Sequence, residues 1–285
     1  MTLVLKLGRL ISAFVFTALM AATTAHAQSC EPQKVAAKYP AYAGKTVTIA
    51  ATPTYPPYTF SDPTDLDHLT GLEAEVIESV LNCAGLKSRY ELGAWSAILP
   101  TILSGSADVA VGNISYSAER AEKVNFIVFM RNGQSVVVAK GNPKSIKTGM
   151  DLCGKSATTT MGGSSALAID RQSKACVAAG KPPINFQNAI DLESAYRQLS
   201  NERVDFVMDG TVSALSRVAK SPMIGIAYSV TTDVVAGVVV GKGNDQMTKI
   251  VYDGLKQMEA KGTLKALMLK YGLPENLMVP VEIRK

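Results

Sequence analysis

Four stretches of this 285-residue chain carry residues whose types and spacing could do chemistry. Thr52-Pro53-Thr54-Tyr55-Pro56-Pro57-Tyr58 sets two tyrosines among prolines, which fix φ and stiffen the loop. Their rings could face a ligand or cover a core. Trp95, the single tryptophan, stands just before an apolar helical pattern and could supply an opposing face or pack inside. In Gly112-Asn113-Ile114-Ser115-Tyr116-Ser117-Ala118-Glu119-Arg120, Ser117 suits a helix N-cap. Arg120 then falls in the first helical turn, where the helix dipole disfavours a cation. A carboxylate gripped by two parallel bonds would resolve that conflict, and so would a pair with Glu119 or Glu122. Gly162-Gly163-Ser164-Ser165 puts glycines and hydroxyls at a helix start, which suits an anion or an ordinary tight turn. Val204-Asp205-Phe206-Val207-Met208-Asp209 reads as a strand ending in an acid, and Asp209 could receive an ammonium group or cap a helix. Together these are aromatic faces, a cation and hydroxyls for a carboxylate, and an acid for an ammonium. That set complements a zwitterionic α-amino acid.

Other chemistries find little here. The only histidines are His26 and His68, and neither H-E-x-x-H nor G-x-S-x-G occurs. Gly149-Met150-Asp151-Leu152-Cys153-Gly154-Lys155-Ser156 fits G-x4-G-K-S in letters. A phosphate loop needs a strand before it and a helix after it, and here a strand-like run follows. The four cysteines fit no zinc spacing, so no metal or cofactor is expected.

The elements that must position these residues follow from periodicity. Lys6 and Arg9, the apolar run 10–22 and Ala25-His26-Ala27 read as a secretory signal, residues 1–27, removed after Ala27. Its loss brings the net charge from +5 to +3, too mild to imply nucleic acid or an anionic membrane as partner. An even count of cysteines in an exported chain suggests disulfides, and Cys153–Cys176 and Cys30–Cys83 are the pairings expected, each within one lobe. Strand-like 46–51 is followed by Leu72, Val76, Ile77, Val80 and Leu81 at helical spacing, then by Ile98, Leu99, Ile102 and Leu103, then by strand-like 108–111. This alternation predicts α/β architecture, parallel-rich sheets with helices on both faces. A new register starts at 136–139, a second unit spans about 143–226, and the strand 235–240 leads back to a long helix through Met247, Ile250, Val251, Leu255 and Met258. The expectation is two lobes, 28–137 with 235–285 and 138–234, two sheets joined by a two-segment hinge. Ligands bind at the carboxyl ends of such strands and at domain interfaces, where all four stretches would meet.

The same residues resemble the family-3 extracellular solute-binding proteins of polar amino acid ABC transporters. Tyr55-Pro56-Pro57-Tyr58-Thr59-Phe60 is similar to Y-P-P-F-x-F, Leu69-Thr70-Gly71-Leu72-Glu73-Ala74-Glu75 to T-G-F-D-x-D, and residues 95–102 to W-x-x-L-x-P-x-L. Ser117-Ala118-Glu119-Arg120 resembles T-P-E-R, while Gly262-Thr263-Leu264 and Lys270-Tyr271-Gly272-Leu273 resemble the closing G-T-L and K-Y-G-L. The resemblance implies a type II periplasmic-binding fold that closes by a hinge and docks on a membrane permease as a monomer. It also implies that Tyr55 and Trp95 flank the ligand side chain, with Tyr58 beside them. Arg120 would take the α-carboxylate with Ser115 and Ser164, Asn113 would help hold the ligand, and Asp209 would take the α-ammonium. Thr52 stands where relatives choosing cationic amino acids often carry Asp, which argues against a Lys or Arg ligand. Asp209 falls one residue short of the usual spacing from Asp205. Phe126-Ile127-Val128-Phe129-Met130-Arg131 replaces F-S-x-P-Y and leaves Arg131 without a role. The rival reading is an enzyme on the same fold, a periplasmic cyclohexadienyl dehydratase.

Overall fold

A computed structural model describes residues 34–285. The signal segment and Cys30, hence the Cys30–Cys83 pairing, lie outside the described residues. The first lobe opens with a one-turn helix α1 (Val35–Lys38), strand β1 (Thr46–Ala51) and a small antiparallel sheet of β2 (Thr54–Tyr55), β3 (Thr59–Asp62) and β4 (Asp65–Thr70). Helix α2 (Leu72–Cys83), β5 (Lys87–Leu92), α3 (Trp95–Leu103), β6 (Val109–Ser115) and α4 (Ala118–Ala121) follow. Strand β7 (Val124–Ala139) then crosses to the second lobe, built from β8 (Ser156–Thr160), α5 (Ser164–Ala178), β9 (Asn185–Ala189), α6 (Leu192–Ser200), β10 (Phe206–Gly210) and α7 (Thr211–Val218). Strand β11 (Ile224–Gly241) crosses back, and α8 (Asp245–Ala260), α9 (Thr263–Lys270) and β12 (Met278–Arg284) complete the first lobe.

Within each lobe the strands run parallel, β1 beside β5 and β6, and β8 beside β9 and β10. The two expected sheets are continuous with one another. The hydrogen-bonded order is β5-β1-β6-β11-β7-β10-β8-β9, with β12 also on β7. The reason is the length of β7 and β11, 16 and 18 residues, which pair antiparallel through both lobes. The expected lobe boundaries at 137/138 and 234/235 fall inside these two strands.

Alternation along β7 builds cores on both faces. Ile127 and Phe129 join Ile49, Leu72, Ile77 and Leu255 on one face of the first lobe, while Phe126 and Val128 join Ile98, Ile102 and Val239 on the other. Further along, Val136 and Val138 pack with Leu152 and Phe206, and Val137 with Leu199 and Val207. Cys153 and Cys176 are bridged, as the sequence suggests, with Cα atoms 5.5 Å apart. Closing that loop contributes about 3 kcal/mol in the chain-entropy view. Residues 149–152 form one 3-10 turn and Ser156 opens β8, so the G-x4-G-K-S lettering leads into a strand and not the helix a phosphate loop needs. At the crossing the Arg131 guanidinium lies 3.5 Å from the exposed Asp233, where pairing of β11 with β7 breaks between Thr231 and Val235.

Candidate functional site

A cavity of about 410 Å³ lies between the lobes. Its walls are the carboxyl ends of strands and the helix starts that follow them, as open α/β sheets require. From the first lobe come Tyr55 after β1, Trp95 at the start of α3, and Asn113 and Ser115 at the end of β6. From the second come Thr159 and Thr160 at the end of β8, Ser164 and Ser165 at the start of α5, and Asp209 at the end of β10. Six of the eight expected ligand residues thus line one space: Tyr55, Trp95, Asn113, Ser115, Ser164 and Asp209.

The aromatic wall is Tyr55 and Trp95, ring centroids 5.9 Å apart at 66°. Tyr58 does not join them and is corrected here. It is 2% exposed and packs in the core of the first lobe, 5.2 Å behind Tyr55. Its loop is pinned by Gly71, whose φ of +118° leaves room for the carbonyl of Tyr58, on which a β-carbon would collide. Leu72 and Glu73 donate backbone N–H groups to Pro57 and Tyr58, turning the Tyr58 ring inward.

Beneath the cavity floor lies Glu73, fully buried. Its Oε2 accepts the backbone N–H of Gly112, at 2.8 Å, and that of Asn113. Those bonds hold Asn113 at φ 57°, a left-handed conformation that costs a non-glycine residue energy, and so present its side chain to the cavity. Burial pushes the Glu73 carboxyl up to about 7, against the pull of the two N–H donors. Asn113 Oδ1 and Thr159 Oγ1 are buried with no hydrogen-bond partner among the described residues, so the lining carries unused polar capacity.

Asp209 is 1% exposed and accepts from the Tyr196 hydroxyl at 2.9 Å and from the Gly210 N–H at 2.7 Å. Burial raises its pKa, partly countered by the positive field of Arg217. No ion pair to Asp209 occurs among the described residues. In the same lobe, after the neighbouring strand β8, α5 begins at Gly163, which has no side chain to cap the first N–H groups, so the helix dipole and its free donors face the cavity.

Arg120 does not line this main space. It lines a smaller adjoining space of about 240 Å³ with Trp95, Met161 and Gly162. Its Nη1 donates to the Ser115 carbonyl at 3.0 Å and its Nη2 to the Gly162 carbonyl, in the other lobe, at 2.5 Å. The helix carrying it is only four residues long, and Trp95 lines both spaces. Sequence reasoning missed Leu92, Ile190 and Leu192, apolar residues on the lip; Ile190 is 84% exposed. The strand-end rule applied to β9 would have found the last two.

The sequence pattern of the bacterial extracellular solute-binding proteins, family 3, matches residues 47–274. The chain belongs to this family. Within it, the L-cystine-binding protein TcyJ of Escherichia coli is 27% identical over 79% of this chain and 82% of its own length. The L-glutamate/L-aspartate-binding protein of Pseudomonas aeruginosa is 26% identical over 75% and 74%. Among solved structures, an ancestral arginine-binding protein bound to arginine superposes with a TM-score of 0.72 at 26% identity, covering 80% of this chain and 98% of that one. The two-lobed periplasmic-binding fold is shared with that structure.

Proposed function

We propose that this family member captures an amino acid between its lobes and hands it to an ABC importer. The observation that carries the reading is a buried carboxylate with no ion pair among the described residues, Asp209, lining the same cavity as the uncapped start of α5. A zwitterion satisfies both ends at once: its ammonium supplies the countercharge at Asp209, and its carboxylate meets N–H donors and serine hydroxyls. The side chain then lies against Tyr55 and Trp95. A cavity of about 410 Å³ suits a longer side chain better than glycine or alanine. L-Cystine, named for a relative, joins the candidates on that ground. The chain acts as a monomer in the periplasm after its signal is removed, its substrate-loaded form docks on a membrane permease, and it catalyses no reaction.

Thermal melting of the ligand-free protein against the twenty protein amino acids, L-cystine and prephenate tests this. A ligand that binds only the folded state raises the melting temperature. A shift with one or a few amino acids is the expected result. A shift with prephenate alone turns the reading to the dehydratase, and no shift with any of them refutes amino acid capture.

A further inference from the structure

The crossing strand β7 does more than connect the lobes. Between its apolar halves it carries Asn132, Gly133 and Gln134, and both polar side chains are buried, 3% and 5% exposed. Residues two apart on a strand face the same way, so both amides point to one side, the floor of the cleft. Asn132 Nδ2 donates to Ser115 Oγ at 2.8 Å, in the first lobe. Gln134 Nε2 donates to Ser164 Oγ at 3.0 Å, in the second, while Gln134 Oε1 accepts from Ser165 at 2.7 Å. Ser115 and Ser164 both line the cavity, and neither hydroxyl donates to another described residue.

A serine hydroxyl has one proton to give and two lone pairs to receive with. Once an amide N–H fills a lone pair from behind, the hydroxyl's own proton turns away from that amide, here toward the cavity. We infer that Asn132 and Gln134 are positioning residues that turn Ser115 and Ser164, from opposite lobes, into hydrogen-bond donors aimed at a ligand carboxylate. This rests on the amino acid reading above and adds polarity to it: the carboxylate end is selected by donors set from the hinge strand, the ammonium end by Asp209. Because one strand sets both serines, closure brings together two donors already oriented, with no reorganisation when the ligand arrives.

The test is Gln134→Glu, with Asn132→Asp as the second variant should the first not fold by its melting curve. Binding is measured by calorimetry at pH 8 and pH 5, each ratio taken to wild type at the same pH. Probes are L-cystine, L-glutamate and L-arginine as free acids and as α-carboxamides. When ionised, the introduced carboxylate accepts the Ser164 proton and turns the hydroxyl the wrong way. When protonated, the introduced carboxyl offers an O–H where the amide N–H was. The expected result is a loss of roughly ten- to hundredfold for the free acid at pH 8 that shrinks toward wild type at pH 5, and a smaller loss for the carboxamide. A ratio that is the same at both pH values, or equal losses for acid and carboxamide, overturns the inference and leaves amino acid capture standing. Wild type that binds none of these probes and none of the amino acids of the melting screen removes both.

Discussion

Glu73→Gln isolates one buried charge, and its effect can be worked from the geometry. The Glu73 carboxyl is fully buried, and burial lifts it from its ordinary 4.5 to about 7. A raised carboxyl means the folded chain holds that proton more tightly than the unfolded chain does. Stability from this group is therefore intact below 4.5 and falls as pH rises to about 7, above which the full penalty applies. The span corresponds to about 3 kcal/mol. Glutamine keeps an oxygen for the N–H groups of Gly112 and Asn113 and cannot ionise. Urea unfolding of the ligand-free protein at half-unit steps from pH 4.5 to 8 reads the difference between wild type and variant. That difference cancels Asp209 and the paired carboxylates, which titrate in both. The variant should gain about 3 kcal/mol on wild type across this range, whatever constant offset its new amide brings. Parallel profiles would refute a carboxylate buried as an anion under Asn113.

Asp209→Asn should weaken amino acid binding by about 2–5 kcal/mol while leaving the ligand-free protein at least as stable at pH 7, because the isolated buried charge is gone; calorimetry and melting read the two effects. Arg217 reaches from α7 to the Thr54 carbonyl in the first lobe, 3.3 Å away, and stacks over Tyr196. Arg217→Met should speed ligand release about fivefold, the worth of one such bond, in stopped-flow fluorescence of Trp95. Replacing Cys153 and Cys176 by serine should lower stability by about 2–4 kcal/mol, and the ranking of amino acids in a melting screen should not change.

The strand-end rule placed Tyr55, Trp95, Asn113, Ser115, Ser164 and Asp209 in one cavity because it depends only on chain order and apolar runs. It could not separate Tyr55 from Tyr58. Both are tyrosines of one proline-rich loop, and their opposite orientations are fixed by hydrogen bonds from a distant turn at Gly71. Arg120 was legible as a cation in a first helical turn, but not the shortness of α4 or the carbonyl of Gly162 that meets it. Residues 131–135 hid the length of β7. Arg131, Asn132, Gly133, Gln134 and Ser135 interrupt the apolar alternation where the strand crosses open cleft, so each half read as a separate short strand. Asn132, Gln134 and Ser135 find partners far away in sequence, which no local pattern records.

Strand β12 lies along the first-lobe half of β7, pairing Ile283 with Ile127 and Arg284 with Phe126. The second lobe takes its helices and its β8–β10 core from one continuous stretch, whereas the first must wait for residues 278–284. In any delivery of the chain N-terminus first, the lobe begun earliest is thus finished last. Until then, the run from Val124 to Met130, buried throughout in the native fold, offers an unpaired edge to any neighbouring strand. The interval between arrival of β7 and arrival of β12 is thus one in which a strand edge of the first lobe stands open.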